Sequence, residues 1–184
     1  MHLQREELEY VLKVTDKLNR VKGALNYEEI PSLSQFNPSE WHEYIVPIRR
    51  ILGNLDNDIS FISCLLIKEF LIHKHHCNNL NVALKAQGAA GLDVDEITKD
   101  GKRIIGELKT TYPYLLNDLG GQQRENFKKD FEKLANTEAD YKYFFLTETK
   151  TFDIVRIKYK QHLKGLNLVL LPQALVDTNY IVQY

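Results

Sequence analysis

The sequence predicts an α/β fold in which a β-sheet is covered by helices and preceded by a helical N-terminal part. Apolar residues recur at three- and four-residue intervals through residues 8–76, which indicates helices. After Asn78, short apolar runs bounded by Gly, Asn and Asp replace that period, which indicates strands. Strand and helix patterns then alternate, as in a helix-covered sheet. We therefore expect a single domain of 184 residues, with a helical part over 1–55 and a core over 56–184.

Three helices are expected before the sheet. The first carries an amphipathic stripe of apolar side chains, at Leu8, Val11, Leu12, Val14 and Leu18. The second begins near Pro38, since proline suits the first helical turn, and continues to Ile51. The third runs from Asp58, an acidic residue that suits a helix N-terminus, to His76, and its nearly continuous apolar character predicts burial.

A β-hairpin is the first predicted part of the sheet. Residues 92–97 alternate in character, the sequence Lys-Asp-Gly predicts a turn at 99–101, and residues 103–108 form the returning strand. A helix, a strand, a second helix and a second strand follow, over residues 118–135, 143–146, 150–163 and 166–171. This order favours one α/β sheet over separate domains.

The charge of the chain is nearly balanced, with 24 basic against 25 acidic residues. A self-sufficient DNA-binding protein usually carries a basic surface, so DNA affinity in this chain would be local or supplied by a partner. Residues 150–164 hold five lysines and arginines against one aspartate, a local charge of +4. This segment would either face phosphates or form a solvated helix face.

The sequence predicts neither a membrane segment nor an exported precursor. No stretch approaches the roughly 18 apolar residues of a membrane span, and the first residues are polar and acidic. We therefore expect a cytoplasmic protein without a membrane partner.

The hairpin carries the residues with the clearest chemical potential. Glu107 and Lys109 point to the same face of the returning strand because side chains alternate along a strand. Asp93 on the adjacent strand would complete a small acidic site, and Asp95, which shares its strand face, is the rival ligand. Carboxylates with water and substrate phosphate are the usual ligands of Mg²⁺. The spacing therefore predicts a divalent-cation site, against the alternative of charges on a solvated strand.

These residues resemble a known family. The segments Gly-Leu-Asp-Val at 91–94 and Ile-Ile-Gly-Glu-Leu-Lys at 104–109, joined by a short hairpin, are similar to the signature of the PD-(D/E)XK nuclease superfamily, which includes most type II restriction endonucleases. Leu92 stands where the family often has proline. The order of elements over residues 58–171 also follows the family, although only the hairpin carries specific residues.

The resemblance implies a restriction-endonuclease-like core with a mixed β-sheet and an active site in residues 56–184. Asp93, Glu107 and the backbone carbonyl of Leu108 would bind Mg²⁺, as one or two ions, with Mn²⁺ as a substitute. Lys109 would orient the attacking water or stabilise the transition state. Glu69, on the helix before the hairpin, would join the site directly or through water.

Two further residues are candidates on the same grounds. Gln122 or Gln123, at the start of the helix after the hairpin, would hold a phosphate of the substrate.

The expected function is Mg²⁺-dependent endonuclease cleavage of double-stranded DNA. Because the chain is small and lacks a recognisable DNA reader, it resembles the strand-cleaving subunit of a two-subunit type IIS restriction enzyme whose larger partner recognises the sequence. A homodimeric type II restriction or repair endonuclease is the alternative. A non-catalytic interaction subunit with a nuclease fold is the alternative of another class.

Overall fold

A computed structural model of the chain describes residues 2–27, 38–77, 80–83 and 91–184. Within them the chain forms two compact units, His2–Ile59 and Ser60–Tyr184, and the boundary between the units falls inside the third helix. The expectation of a single domain divided at residue 55 stays a prediction. No helix in the described ranges combines the length and the apolar character needed to cross a membrane.

The three predicted N-terminal helices are present. They are α1 (Arg5–Tyr27), α2 (Pro38–Leu52) and α3 (Leu55–His75). Asp58 lies in the first turn of α3, where the helix dipole favours a negative charge. Its carboxylate accepts a hydrogen bond from the hydroxyl of Tyr10 at 3.1 Å and pairs with the ammonium of Lys17. These contacts join the beginning of α3 to α1 within the first unit.

The second unit contains a five-stranded mixed sheet with the strands in sequence order. Its strands are β1 (Val94–Ile97), β2 (Arg103–Lys109), β3 (Tyr141–Leu146), β4 (Asn167–Leu170) and β5 (Ile181–Gln183). The pairs β1–β2 and β4–β5 are antiparallel, whereas β2–β3 and β3–β4 are parallel. Helix α4 (Gly121–Asn136) connects β2 to β3, and α5 (Thr149–Lys158) connects β3 to β4. Single 3₁₀ turns occupy Lys160–His162, Gln173–Leu175 and Thr178–Tyr180.

Apolar side chains cover both faces of this sheet. On one face Ile105 and Phe144 pack with Phe127 and Phe131 of α4, in a cluster that also contains residues of α5. The other face carries the strand residues that alternate with these, and it packs against the apolar side of α3. The sheet contributes Ile104, Leu108, Tyr143 and Phe145, and the helix contributes Ile67, Phe70 and Leu71. Strand β2 is therefore covered on both faces, and its residues 104–108 are buried.

The prediction of an α/β fold with a mixed sheet and flanking helices is confirmed. Three details differ from the sequence reading. Asp93 lies in a bend before β1 rather than on the strand, after Gly91, whose φ of 103° is accessible mainly to glycine. The α-helix predicted over 150–163 ends at Lys158 and is followed by a 3₁₀ turn. Strand β5 was not predicted, because its three residues carry no extended alternating pattern.

Candidate active site

The side chain of Asp93 is hydrogen-bonded to β2 just beyond the end of the β1–β2 ladder. The ladder between these strands ends where Val94 faces Gly106. Beyond this pair, the carboxylate of Asp93 accepts a hydrogen bond from the backbone N–H of Leu108 at 2.8 Å. Because the N–H and C=O of one strand residue point to the same side, the Leu108 carbonyl also points towards β1, beyond its end. Asp93 itself is exposed, so this end of the hairpin is open to solvent.

Glu107 is the buried member of the acid pair, by which we mean Asp93 and Glu107. Its side chain is 5% exposed and points to the α4 face of the sheet with Ile105. Burial raises the pKa of Glu107 to about 7, the hydrogen bond from Lys133 acts in the opposite direction, and the charge and a hydrogen bond of Asp93 raise it further. Both burial and the neighbouring Asp93 therefore disfavour the charged form of Glu107.

Lys109 lies on the same face of β2 as Glu107, as the alternation of the strand predicts. Its ammonium pairs with a carboxylate oxygen of Asp130 on α4 at 2.5 Å and lies 6.0 Å from the centre of the Phe127 ring. Both side chains of the ion pair are largely shielded, at 22% and 17% exposure. Lys109 is thus held in place by groups of α4.

A second amine reaches the acid pair from α4. The ammonium of Lys133 lies 2.5 Å from a carboxylate oxygen of Glu107 and 2.5 Å from the carbonyl oxygen of Gly91. Lys133 and Asp130 are three residues apart and therefore share one side of the helix. The sequence analysis missed both residues. They could have been identified as candidates because they lie beside the buried apolar stripe of α4, formed by Phe127, Phe131 and Leu134.

Together these residues form a charge cluster, defined as Asp93, Glu107, Lys109, Asp130 and Lys133. Three acidic and two basic groups give it a formal charge of −1 when all are ionised. The structure brings together the three residues that the hairpin motif singled out, and α4 adds the other two.

Glu69 lies half-buried on α3. The neighbouring Ile67, Phe70 and Leu71 pack on the opposite face of the sheet from Glu107. Within the described residues, no hydrogen bond or ion pair joins Glu69 to Asp93, Glu107 or Lys109. Its proposed place in the site stays a prediction.

The other candidates from the sequence have identifiable contacts. Asp95 accepts two hydrogen bonds from the guanidinium of Arg103, at 2.9 and 2.7 Å, and is thus engaged at the exposed edge of the hairpin. Gln122 is exposed and donates to Asn126. In the basic segment 150–164, Arg156 pairs with Asp153, and Lys158 with an aspartate in the loop before α4.

The side chain of Gln123 holds the loop before α4, a role that its position in the sequence did not predict. Its side-chain oxygen accepts hydrogen bonds from the N–H groups of Gly120 and Tyr114, at 2.8 and 3.1 Å. Its amide nitrogen donates to the carbonyl of Tyr112 at 2.8 Å. Because the side chain is buried and used at both ends, Gln123 anchors the loop after β2 to the start of α4 and does not present its amide to a phosphate.

The oxygen donors at the acid pair fit a hard divalent cation. Among the described residues, no group of three or more His, Cys, Asp or Glu side chains is arranged to hold a metal ion. Mg²⁺ does not require such a group, since it is often held by one or two carboxylates with water and substrate. Glu107 is a buried carboxyl group with a raised pKa beside a second carboxylate, and a cation would stabilise the ionised form of such a group.

Comparisons with protein-family models, with curated proteins and with solved structures find no match to this chain.

Proposed function

We propose that this chain is a Mg²⁺-dependent hydrolase of DNA phosphodiester bonds, with Asp93, Glu107 and Lys109 as its chemical groups. The observation that carries the proposal is the arrangement at the open end of the hairpin: the Leu108 N–H holds Asp93 there, Glu107 is buried, and Lys109 shares the strand face of Glu107. Two interacting carboxyl groups and an amine at the open end of a hairpin suit a site where a cation and a phosphate meet.

In this proposal, Asp93, Glu107 and the Leu108 carbonyl hold the metal. When bound, Mg²⁺ neutralises charge on the phosphate and lowers the pKa of the attacking water. Exposed Asp93 gives the ion and the substrate access from solvent, while buried Glu107 fixes the site to the sheet. Donation from the Leu108 N–H keeps the Asp93 carboxylate beside the Leu108 carbonyl.

Lys109 supplies positive charge close to the scissile phosphate. The ion pair with the carboxylate of Asp130 holds the ammonium of Lys109 at this place. A charged amine stabilises negative charge that develops on the phosphate oxygens, so transition-state stabilisation is its role rather than removal of a proton from water. Asp130 acts through Lys109 and is a positioning residue.

The resemblance of the hairpin to the PD-(D/E)XK signature supports the same reaction, and with it a restriction-endonuclease-like core. The element order of the second unit, in which α3, a hairpin, α4 and a parallel strand succeed one another, is compatible with that core. Glu69 on α3 keeps its proposed auxiliary role.

We further propose that the chain acts with a larger DNA-recognising subunit, as the strand-cleaving part of a type IIS restriction enzyme. The near-neutral charge leaves little general affinity for DNA. The loop after β2, which directly follows Lys109, exposes four large apolar side chains that a partner could cover, Tyr112, Tyr114, Leu115 and Leu116. A homodimer is the alternative, and the mass in solution, with and without DNA, separates the two arrangements.

A second candidate of another class is a non-catalytic interaction subunit. The observation in its favour is that the pairs Lys109–Asp130 and Lys133–Glu107 satisfy the charges of the site internally. In that case the charge cluster is a structural ion-pair network between β2 and α4.

Cleavage of supercoiled plasmid in Mg²⁺ tests the proposal, with the chain alone and with the protein encoded beside its gene. We expect nicked or linear DNA, and loss of cutting in Glu107→Gln and Lys109→Met, whose folding is checked by circular dichroism. Asp95→Asn is the matched control, because it removes a carboxylate of the same hairpin that pairs with Arg103. Equal cutting by all variants would remove the acid pair from the chemistry, and intact plasmid in both mixtures favours the interaction subunit.

A further inference from the structure

We propose that Lys133 is the resident counter-cation of the acid pair and that its ammonium leaves Glu107 when a divalent ion binds. Lys133 would thereby weaken the intrinsic metal affinity of the site. This inference rests on the proposed function, since it assumes that the acid pair is the metal site.

The contacts of Lys133 are those of a cation between oxygen ligands. Its ammonium lies 2.5 Å from Glu107 Oε1 and 2.5 Å from the carbonyl oxygen of Gly91, two residues before Asp93. One oxygen belongs to β2 and the other to the segment that leads into β1, so the amine bridges the same two segments that the proposed metal would join. The bridging oxygens are a carboxylate and a carbonyl, the oxygen types that hard divalent cations prefer.

The amine and a divalent ion compete for this place. Like charges a few ångströms apart repel strongly where burial lowers the effective dielectric, and Glu107 is almost fully buried. A divalent ion bound to Glu107 would lie next to the ammonium of Lys133 if that side chain kept its position. The ammonium must therefore withdraw, and the free energy of its ion pair is subtracted from that of metal binding.

Lys133 can withdraw, whereas Lys109 is held. The side chain of Lys133 is 35% exposed and lies in the last turn of α4, so its flexible four-carbon stem has access to solvent. Lys109 is 22% exposed, lies near Phe127 and pairs with Asp130, which does not belong to the acid pair. The two amines of the charge cluster therefore have different roles. Lys109 keeps its position at the proposed site, whereas Lys133 moves away when the divalent ion binds.

Calorimetric titration of the intact protein with Mn²⁺ measures this competition without any cleavage assay. We expect Lys133→Met to bind Mn²⁺ about tenfold more tightly than wild type, because a like charge has been removed from the site. Lys133→Arg, which keeps the charge, should not gain affinity. Lys129→Met is the matched control, since Lys129 is an exposed lysine of the same helix. Unchanged or weaker binding by Lys133→Met overturns the inference.

Two further measurements separate the possible failures. Asp93→Asn should lose Mn²⁺ binding, and if it binds like wild type, or if no variant binds Mn²⁺, the proposed metal site falls together with the inference. If Asp93→Asn loses binding but Lys133→Met gains none, only the role of Lys133 falls. If Lys133→Met unfolds, nitrogen-detected NMR of the lysine ammonium groups in wild type decides, since Mg²⁺ should shift the Lys133 signal, and an unchanged signal at saturating Mg²⁺ contradicts displacement.

Discussion

Glu107 carries a carboxyl group that folding transfers from water into the space between β2 and α4. Its pKa in the folded protein is raised to about 7, from an ordinary value of 4.5 for an exposed glutamate. The folded state therefore binds a proton more tightly than the unfolded chain does. The contribution of this group to stability is greatest below about pH 4.5 and is lost as the pH rises through 7.

The pH dependence of unfolding tests this property of Glu107. Without divalent cations, the free energy of unfolding of wild type should fall relative to that of Glu107→Gln between pH 5 and pH 8, because the variant has no carboxyl group to ionise. Urea denaturation of both proteins at several pH values in this range gives the difference. Using the difference removes the contributions of other groups, such as His75, whose pKa is lowered mainly by burial. A difference that does not change with pH would contradict the raised pKa.

The residues of the charge cluster also show how far the sequence could predict the site. Asp93, Glu107 and Lys109 were identifiable because they lie on a short hairpin whose Asp-Gly turn and alternation fix which side chains are neighbours. Asp130 and Lys133 were not, because α4 carries several charged residues and its rotation against the sheet decides which of them reach β2. That rotation is set by the packing of Phe127 and Phe131, a tertiary contact without a local sequence signature.

At the scale of elements, β2 passes close to β3 at Gly106. A Cβ atom added there would lie 2.9 Å from Cε2 of Phe145 and 3.4 Å from the carbonyl oxygen of Tyr143. Phe145 is fully buried against α3, so its ring has little room to move. Glycine at this position lets the two strands pack one residue before Glu107.

The variant Gly106→Ala should therefore lower the free energy of unfolding by about 1–3 kcal/mol, the usual cost of overpacking a core. Gly121→Ala is the matched control, since a Cβ there meets nothing within 4 Å. Chemical denaturation measures both. Equal stability of Gly106→Ala and wild type would show that Phe145 can move aside.

The loop between β2 and α4 is a second element whose conformation has one main cause. The buried side chain of Gln123 accepts hydrogen bonds from the N–H groups of Tyr114 and Gly120 and donates one to the carbonyl of Tyr112, and so holds the backbone of this loop. The hydroxyl of Thr151 on α5 also donates to the carbonyl of Thr111 at 2.6 Å. The exposed apolar side chains of the loop are thus presented from a fixed backbone.

Replacing Gln123 by alanine should destabilise the protein by about 1–3 kcal/mol, because buried backbone groups lose their partners. It should also increase the proteolytic sensitivity of residues 112–119. The neighbouring Gln122→Ala removes an exposed side chain and should change stability by less than about 0.5 kcal/mol. Thermal unfolding and limited proteolysis measure these effects, and equal behaviour of the two variants would contradict the anchoring role.

For the whole molecule, the sequence predicted the fold class because local patterns and global architecture agree. The three N-terminal helices, the hairpin and the alternation after it all appear within a few residues of their expected bounds. The edge strand β5 was not predicted, because it forms where the chain turns back alongside β4 and its own three residues carry no strand pattern. The boundary between the two units lies inside α3, whose continuous helical pattern contains no linker.

Strand β2 lies inside the sheet, between β1 and β3, and both of its faces are covered. Its amide protons should therefore exchange with deuterium only when the second unit unfolds globally, whereas those at the edge strand β5 exchange through local fraying. Mass spectrometry of deuterated peptides would rank the two. Rapid labelling of residues 104–108 would show that β2 opens locally. Slow labelling would mean that Glu107 lies on one of the segments most resistant to unfolding.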